Sequence, residues 1–174
     1  TGEAIPDQSS KDLRKEYVLN LYAGASHSFS NHLSGEVSLA SELYDARERH
    51  SWHLYPTMNL TYQPADGHTF QLSFTSDCTY PDYWHLQALV QRMNSYTEVH
   101  GNPSLKPFSS YTFHLNYLWK NKYMIGLQYQ DNPDNFSQLP YQEPDRLAEV
   151  NQFVNFNFRR SLMLQLMASY RVGK

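Results

Sequence analysis

The chain is poor in the features that usually name a function. A single cysteine, Cys78, excludes an intrachain disulfide framework, and no Cys-x-x-Cys pair or His-x-x-x-His spacing marks a structural zinc. No apolar run approaches the ~18 residues of a membrane helix. The opening TGEAIPDQSSKD has neither the basic nor the apolar part of a signal peptide. The 14 lysines and arginines are scattered and outnumbered by 17 aspartates and glutamates, which leaves no electrostatic footprint for nucleic acid. Glycine is scarce, at 7 residues. No Gly-x-Ser-x-Gly elbow, carboxylate dyad or nucleophile linked to a base is present, so the residues argue against an enzyme and call for no cofactor.

What is abundant is aromatic: 14 tyrosines, 9 phenylalanines and 3 tryptophans stand among many Ser, Asn, Gln and Thr, a mixture that favours strands and interfaces. The mean hydropathy of -0.66 does not separate a soluble protein from a membrane barrel, because alternation of polar and apolar residues cancels in the average. Period two runs through most of the chain. Tyr17, Leu19, Leu21, Ala23 and Ala25 share one parity; Leu33, Val37, Leu39 and Leu43 continue it after a break at Asn31 and His32. Further runs follow at Trp52 to Tyr62, where Pro56 marks an irregular or edge position, and at Phe70 to Cys78. Phe113 to Trp119, Tyr123 to Tyr129, Val150 to Phe158 and Leu162 to Val172 complete about eight strands, the last pair turning at Arg159 and Arg160. The expected fold is all-β, an antiparallel up-and-down meander forming a barrel or part of one, with residues 1–13 a flexible segment and 14–174 a single domain.

The connections alternate. They are short at Asn31, medium at Asp45 to His50, short at Pro64 to Gly67, long at Thr79 to Ser110, short at Lys120 to Lys122, long at Asp131 to Asp145 and short at Arg159. In a meander, alternate connections lie at opposite ends, so the short turns gather at one end, as in outer-membrane barrels. Runs of about nine to twelve residues fit a transmembrane strand. Phe29, Tyr62, Phe70, Trp119, Tyr123 and Phe158 are placed to form an aromatic girdle near the short turns. Period two alone leaves the direction of the apolar parity open. A soluble lipocalin-like barrel of eight strands binding a small ligand, and a complete eight-stranded membrane anchor, both satisfy it.

At HGNPSLKP the chain resembles a known family. Gly101, Asn102, Pro103, Leu105, Lys106 and Pro107 match the GNPxLKPE element of TonB-dependent outer-membrane receptors, followed as in that family by an alternating strand, YTFHLNYLW; Phe108 stands where the family usually has Glu. Upstream, YPTMNLTYQPADGHTFQLSFTSDCTYPDYWHL is similar to the family's strand, short turn, strand and aromatic loop. The resemblance implies a portion of a C-terminal barrel in the outer membrane of a Gram-negative cell. It implies lipid around the wall, a nutrient ligand, and TonB engaged by regions that this chain does not show. A portion of a wide barrel has open strand edges, through which copies can self-associate. Outside a membrane, closure with the Leu, Phe and Tyr parity inward is expected.

The passage from Thr79 to Ser110 loses its period, with Trp84 to Met93 expected to form a short helix, and long irregular loops are usually functional. Tyr80, Tyr83, Trp84, Tyr96 and Tyr141 are the candidate ligand contacts, since loop aromatics stack on ring-bearing ligands. His50, His53, His85 and His100 also fall at the long-loop end. Without carboxylates at ligand spacing they read as solvated loop histidines, and no metal is expected.

Overall fold

The computed structural model describes residues 15–46 and 49–170; the expected flexible segment at 1–13 lies outside them. The described strands, in chain order, are β1 (Glu16–Ser30), β2 (Leu33–Ala46), β3 (Arg49–Ala65), β4 (His68–Thr79), β5 (Val90–Asn94), β6 (Thr97–His100), β7 (Phe108–Trp119), β8 (Tyr123–Pro133), β9 (Phe136–Gln142), β10 (Glu149–Asn155) and β11 (Phe158–Ala168). Seven of them make one antiparallel sheet in the order β1-β2-β3-β4-β7-β8-β11, and the other four a smaller sheet, β5-β6-β10-β9. The expected meander is therefore the large sheet, a curtain of long strands joined at one end by tight reversals.

The register explains why the alternation is so regular. Leu60, Leu72, Leu115, Leu127 and Leu164 are direct partners across five strands. One step toward the long loops, Ala25, Val37, Met58, Phe74, Phe113, Tyr129 and Leu162 form a second unbroken row. On the opposite face Ser26, Glu36, Asn59, Ser73, His114, Gln128 and Met163 line up, polar except at the last position. Side chains two apart share a face, so the apolar rows gather on one sheet face and the polar row lies on the other.

The apolar face is open. Leu115 is 45% and Leu164 63% exposed, Leu60 and Leu72 are half-buried, and among the described residues β1 and β11 do not pair with each other. Closure with this parity inward, and with it the lipocalin-like interior, is overturned. Among the described residues the wall ladders run in register with shifts only between Ser28 and Ser30 and between Tyr62 and Ala65. A narrow barrel needs bends and bulges repeated around its circumference.

The short turns follow residue chemistry. Lys120 and Asn121 both have positive φ, 50° and 53°, the two-residue reversal whose twist matches a hairpin, and Gly67 takes φ 75° in the neighbouring turn. The Lys120 N–H donates to the Gly67 carbonyl at 2.5 Å, tying the two turns together. Beside them Phe70 stacks on Tyr117 with centroids 4.5 Å apart, and Trp119 meets Tyr123 at 5.3 Å, an aromatic band at this end. Phe158 is not part of it: it pairs with Pro133 at the far end. Pro56 lies just beyond the last β3–β4 pair, Met58 with Phe74, and there its carbonyl accepts from the Ser76 hydroxyl at 2.9 Å.

Three other details differ from expectation. Trp84 to Met93 is a 3-10 turn, Tyr83–Leu86, followed by β5, because β6 supplies that segment with a hydrogen-bonding partner. The Val150 run is β10 of the smaller sheet; half-buried strands show period two whichever sheet they join. Arg159 and Arg160 lie within β11, so the reversal before it falls at Phe156 and Asn157.

Candidate functional site

The wall has two lengthy excursions, both at the end opposite the short turns: one from β4 to β7, the other from β8 to β11. They fold on each other. β6 of the first pairs in parallel with β10 of the second, Val150 opposite Glu98, and β5 and β9 flank them. The fully buried side chains among the described residues, Leu105 and Val150, both lie here, so the molecule's packed core is between its loops.

One seam is ionic. Glu98 is 4% exposed and receives both Arg146 guanidinium nitrogens, at 2.7 and 2.6 Å, together with Arg92 Nε at 3.2 Å and His100 Nε2 at 3.0 Å. Arg146 also donates to Glu143. Hydrogen bonds from Arg146, then from His100, hold the Glu98 carboxyl down to about 2. A paired guanidinium fork is the geometry in which a buried carboxylate stays charged.

The other seam is built by HGNPSLKP. The Asn102 N–H donates to the His85 carbonyl at 2.6 Å, and its side-chain amide to the Phe153 carbonyl at 2.9 Å. Gln152 donates to the Gly101 carbonyl at 3.2 Å. Asn155 accepts from the Lys106 N–H at 2.9 Å and donates to the Lys106 and Asp134 carbonyls at 3.0 and 2.7 Å. Leu105, in the same segment, is fully buried. A Cβ at Gly101 would overlap the Gln87 carbonyl oxygen, which explains glycine there. Pro107 leads into β7, half-buried.

Between the seams sit aromatic rings. His85 packs at a tilt against Trp84, with ring centroids 3.7 Å apart, and Phe153, at 3.9 Å, with Phe136 at 6.2 Å, and Phe108 meets Phe136 at 5.1 Å. The reading of the four histidines as solvated fails at His85, which is 6% exposed because these rings enclose it. Burial lowers its pKa, against a smaller opposing pull from Asp82. His53 and His100 are half-buried, and His50 pairs with Asp45 at the surface. Among the described residues no group of three or more His, Cys, Asp or Glu is placed to hold a metal.

The five candidate aromatics do not converge on one point. Tyr80 donates to Glu42 at 2.9 Å, as does Tyr55, and stacks on Tyr44 at 4.5 Å, so it fastens the first excursion to the wall. Tyr80 and Tyr83 border a cleft of about 330 Å³ with Glu42 and Asp82. Trp84 lines another of about 310 Å³ beside Arg92 and Val99. Tyr96 and Tyr141 come together from different excursions on a cleft of about 440 Å³, with Pro140, Gln142, Leu147 and Glu149. Sequence reasoning missed Glu98, Arg146 and Asn155, whose partners lie 48 or 49 residues away. Their only local sign is a charged or amide residue inside an otherwise alternating or turn-rich run.

Residues 31–174 match the outer membrane protein beta-barrel family. No curated protein is similar enough to match. Among solved structures, the chain is similar to the siderophore receptor PirA from Pseudomonas aeruginosa, with TM-score 0.67 and 12% identity over 87% of this chain and 30% of that one. It is also similar to a variant of the ferric enterobactin receptor PfeA from Pseudomonas aeruginosa in complex with enterobactin, at 0.66 and 16% over 91% and 25%. PirA from Acinetobacter baumannii gives 0.58 and 14% over 89% and 26%. The chain thus spans between 25% and 30% of the length of these receptors, and the likeness is one of fold.

Proposed function

Because the chain belongs to the outer membrane protein beta-barrel family, we propose that it supplies wall and outward loops to a receptor that imports a scarce nutrient, itself performing no catalysis. The observation that carries this is the division of the molecule into a wall with one continuous apolar face and a folded loop platform at a single end. A wall in lipid with its recognition surface at one mouth is what a receptor needs. The energy for uptake would come from TonB, reached through parts of the receptor outside this chain. The free edges of β1 and β11 are then met by other wall strands of the same barrel; where those are absent, two copies would pair through them.

The fold relatives are receptors named for siderophores, which makes ferric siderophores the first nutrients to try. Of the candidate contacts, Tyr96 and Tyr141 are the pair we assign to ligand. Tyr96 is 66% exposed, and their cleft has the size of a small-molecule site. Tyr83 and Trp84 border separate clefts and serve as secondary contacts, and Tyr80 positions the loop.

The test is accumulation of iron-55 from a panel of ferric siderophores by iron-starved cells carrying the full-length receptor. Uptake of one of them should vanish on deleting the gene and fall about tenfold in Tyr96→Ala with Tyr141→Ala, as loss of two stacking contacts implies. Uptake of every siderophore unaffected by the deletion would overturn the nutrient class, and a normal double variant would overturn the site.

A further inference from the structure

His85 is buried where the two excursions meet, and among the described residues neither ring nitrogen has a hydrogen-bond partner. Satisfied burial is the rule for polar groups, so a neutral imidazole enclosed by tilted aromatic rings without such partners is a liability that asks for a reason. We propose that His85 is a proton-operated latch: neutral, it seals the two outward loops together, and on acidification it takes up a proton and frees them.

The geometry supplies both halves of the device. Neutral, the ring is a flat surface filling the gap between Trp84 on its own turn and Phe153 on β10, within reach of Phe136 on β9. Its carbonyl holds the Asn102 N–H, so displacement of His85 pulls directly on the GNP turn. Protonated, the ring would need two acceptors. The charged group facing it is Asp82, whose carboxylate is 3.8 Å from Nδ1, beyond hydrogen-bond reach and mostly in solvent. The faces from β9 and β10 are phenyl rings, and the GNP turn presents backbone. Glu98, Arg146 and His100 engage one another and not His85. A cation at this position therefore gains too little to offset its desolvation.

The sign follows from linkage. Burial depresses the pKa in the docked state, so the undocked state binds more protons. Docking is at full strength above the ordinary histidine pKa of about 6.5 and weakens as pH falls below it, by up to about tenfold in the docking equilibrium per pH unit. The latch belongs to loop packing and holds whichever nutrient the receptor imports.

The experiment is hydrogen–deuterium exchange of the full-length receptor in detergent, corrected for intrinsic rates, at about pH 7.5 and about pH 5. The expected result is several-fold faster exchange at low pH in segments 83–89 and 149–155, with the wall strands unchanged. His85→Phe, which keeps a ring and removes the titration, should retain protection at both values. Equal protection of the wild type at the two values overturns the latch, whether or not the variant folds. So does an unaltered pH response in a folded His85→Phe. Deuterium exchange at the imidazole C2 position adds a direct readout, which must place the His85 midpoint below that of exposed histidines.

Discussion

Gly101 has no room for a side chain: a Cβ there would overlap the Gln87 carbonyl oxygen, and both residues belong to backbone held by neighbouring hydrogen bonds. Gly101→Ala must push one loop segment off the other. A loss of about 1–3 kcal/mol is expected, together with rapid proteolysis within residues 80–107 in a full-length receptor whose wall still resists protease. Gly35→Ala is the control, because its Cβ would meet chiefly the side chains of Phe29 and Leu60, which can shift. Glu98 makes a different prediction, about pH. Its carboxyl is held down to about 2, so its ionic seam is complete above the ordinary carboxylate range and fails only as pH approaches that value. At about pH 5 the seam should therefore persist while the His85 contact loosens. Glu98→Gln removes it at every pH, and cleavage in segment 143–148 should become several-fold faster at neutral pH; cleavage equal to wild type would show that Arg146 needs no carboxylate there.

At the scale of elements, legibility follows the distance between partners. Wall strands announce themselves because each pairs with a neighbour across a short turn and shows period two on a half-buried sheet, so the alternation alone places Leu19 and Leu39, or Leu115 and Leu127, on a common face. The loop sheet is illegible for the opposite reason. β6 and β10 are neighbours through residues about fifty apart, and nothing local at Val150 says which sheet it enters. The GNPSLKP segment stands out by resemblance, yet its work as a seam is visible only with Asn155 and Phe153 beside it. Turns such as Lys120 to Lys122 are legible because their chemistry is local, and that makes the Lys120–Asn121 reversal improvable. Both residues hold left-handed backbone that glycine adopts without strain. Asn121→Gly should raise stability by roughly 0.5 kcal/mol, and Asn121→Val should lower it by about 1–2 kcal/mol, a β-branched residue being poorly suited to that region. Urea midpoints of the full-length receptor refolded in lipid vesicles would read both; identical midpoints would mean that the turn is not strained.

For the whole molecule, the decisive property is that the two faces of one sheet meet different media, and neighbouring residues on one strand can test it. Leu115 lies mid-strand in the row that joins Leu60, Leu72, Leu127 and Leu164, on the face the structure leaves open. His114, one residue earlier, belongs to the row of Asn59, Ser73 and Gln128 on the other face. In a soluble protein an exposed leucine is replaced by arginine at little cost, because water receives the guanidinium. In an outer-membrane wall the same change places a cation in hydrocarbon, at about 2–4 kcal/mol near the midplane and little near the interfaces. Leu115→Arg should therefore cost that amount in urea-induced unfolding of the full-length receptor from lipid vesicles, and Leu164→Arg a similar amount two strands away. His114→Arg should change stability by less than about 1 kcal/mol, since its face is polar and wet. The depth dependence gives the assignment a second handle. Phe70, two residues along β4 from Leu72 toward the short turns, lies in the aromatic band, and an arginine there should cost clearly less than at Leu115. Equal costs at Leu115 and His114 would mean that the faces do not see different media, and the wall would then have to be something other than a membrane wall.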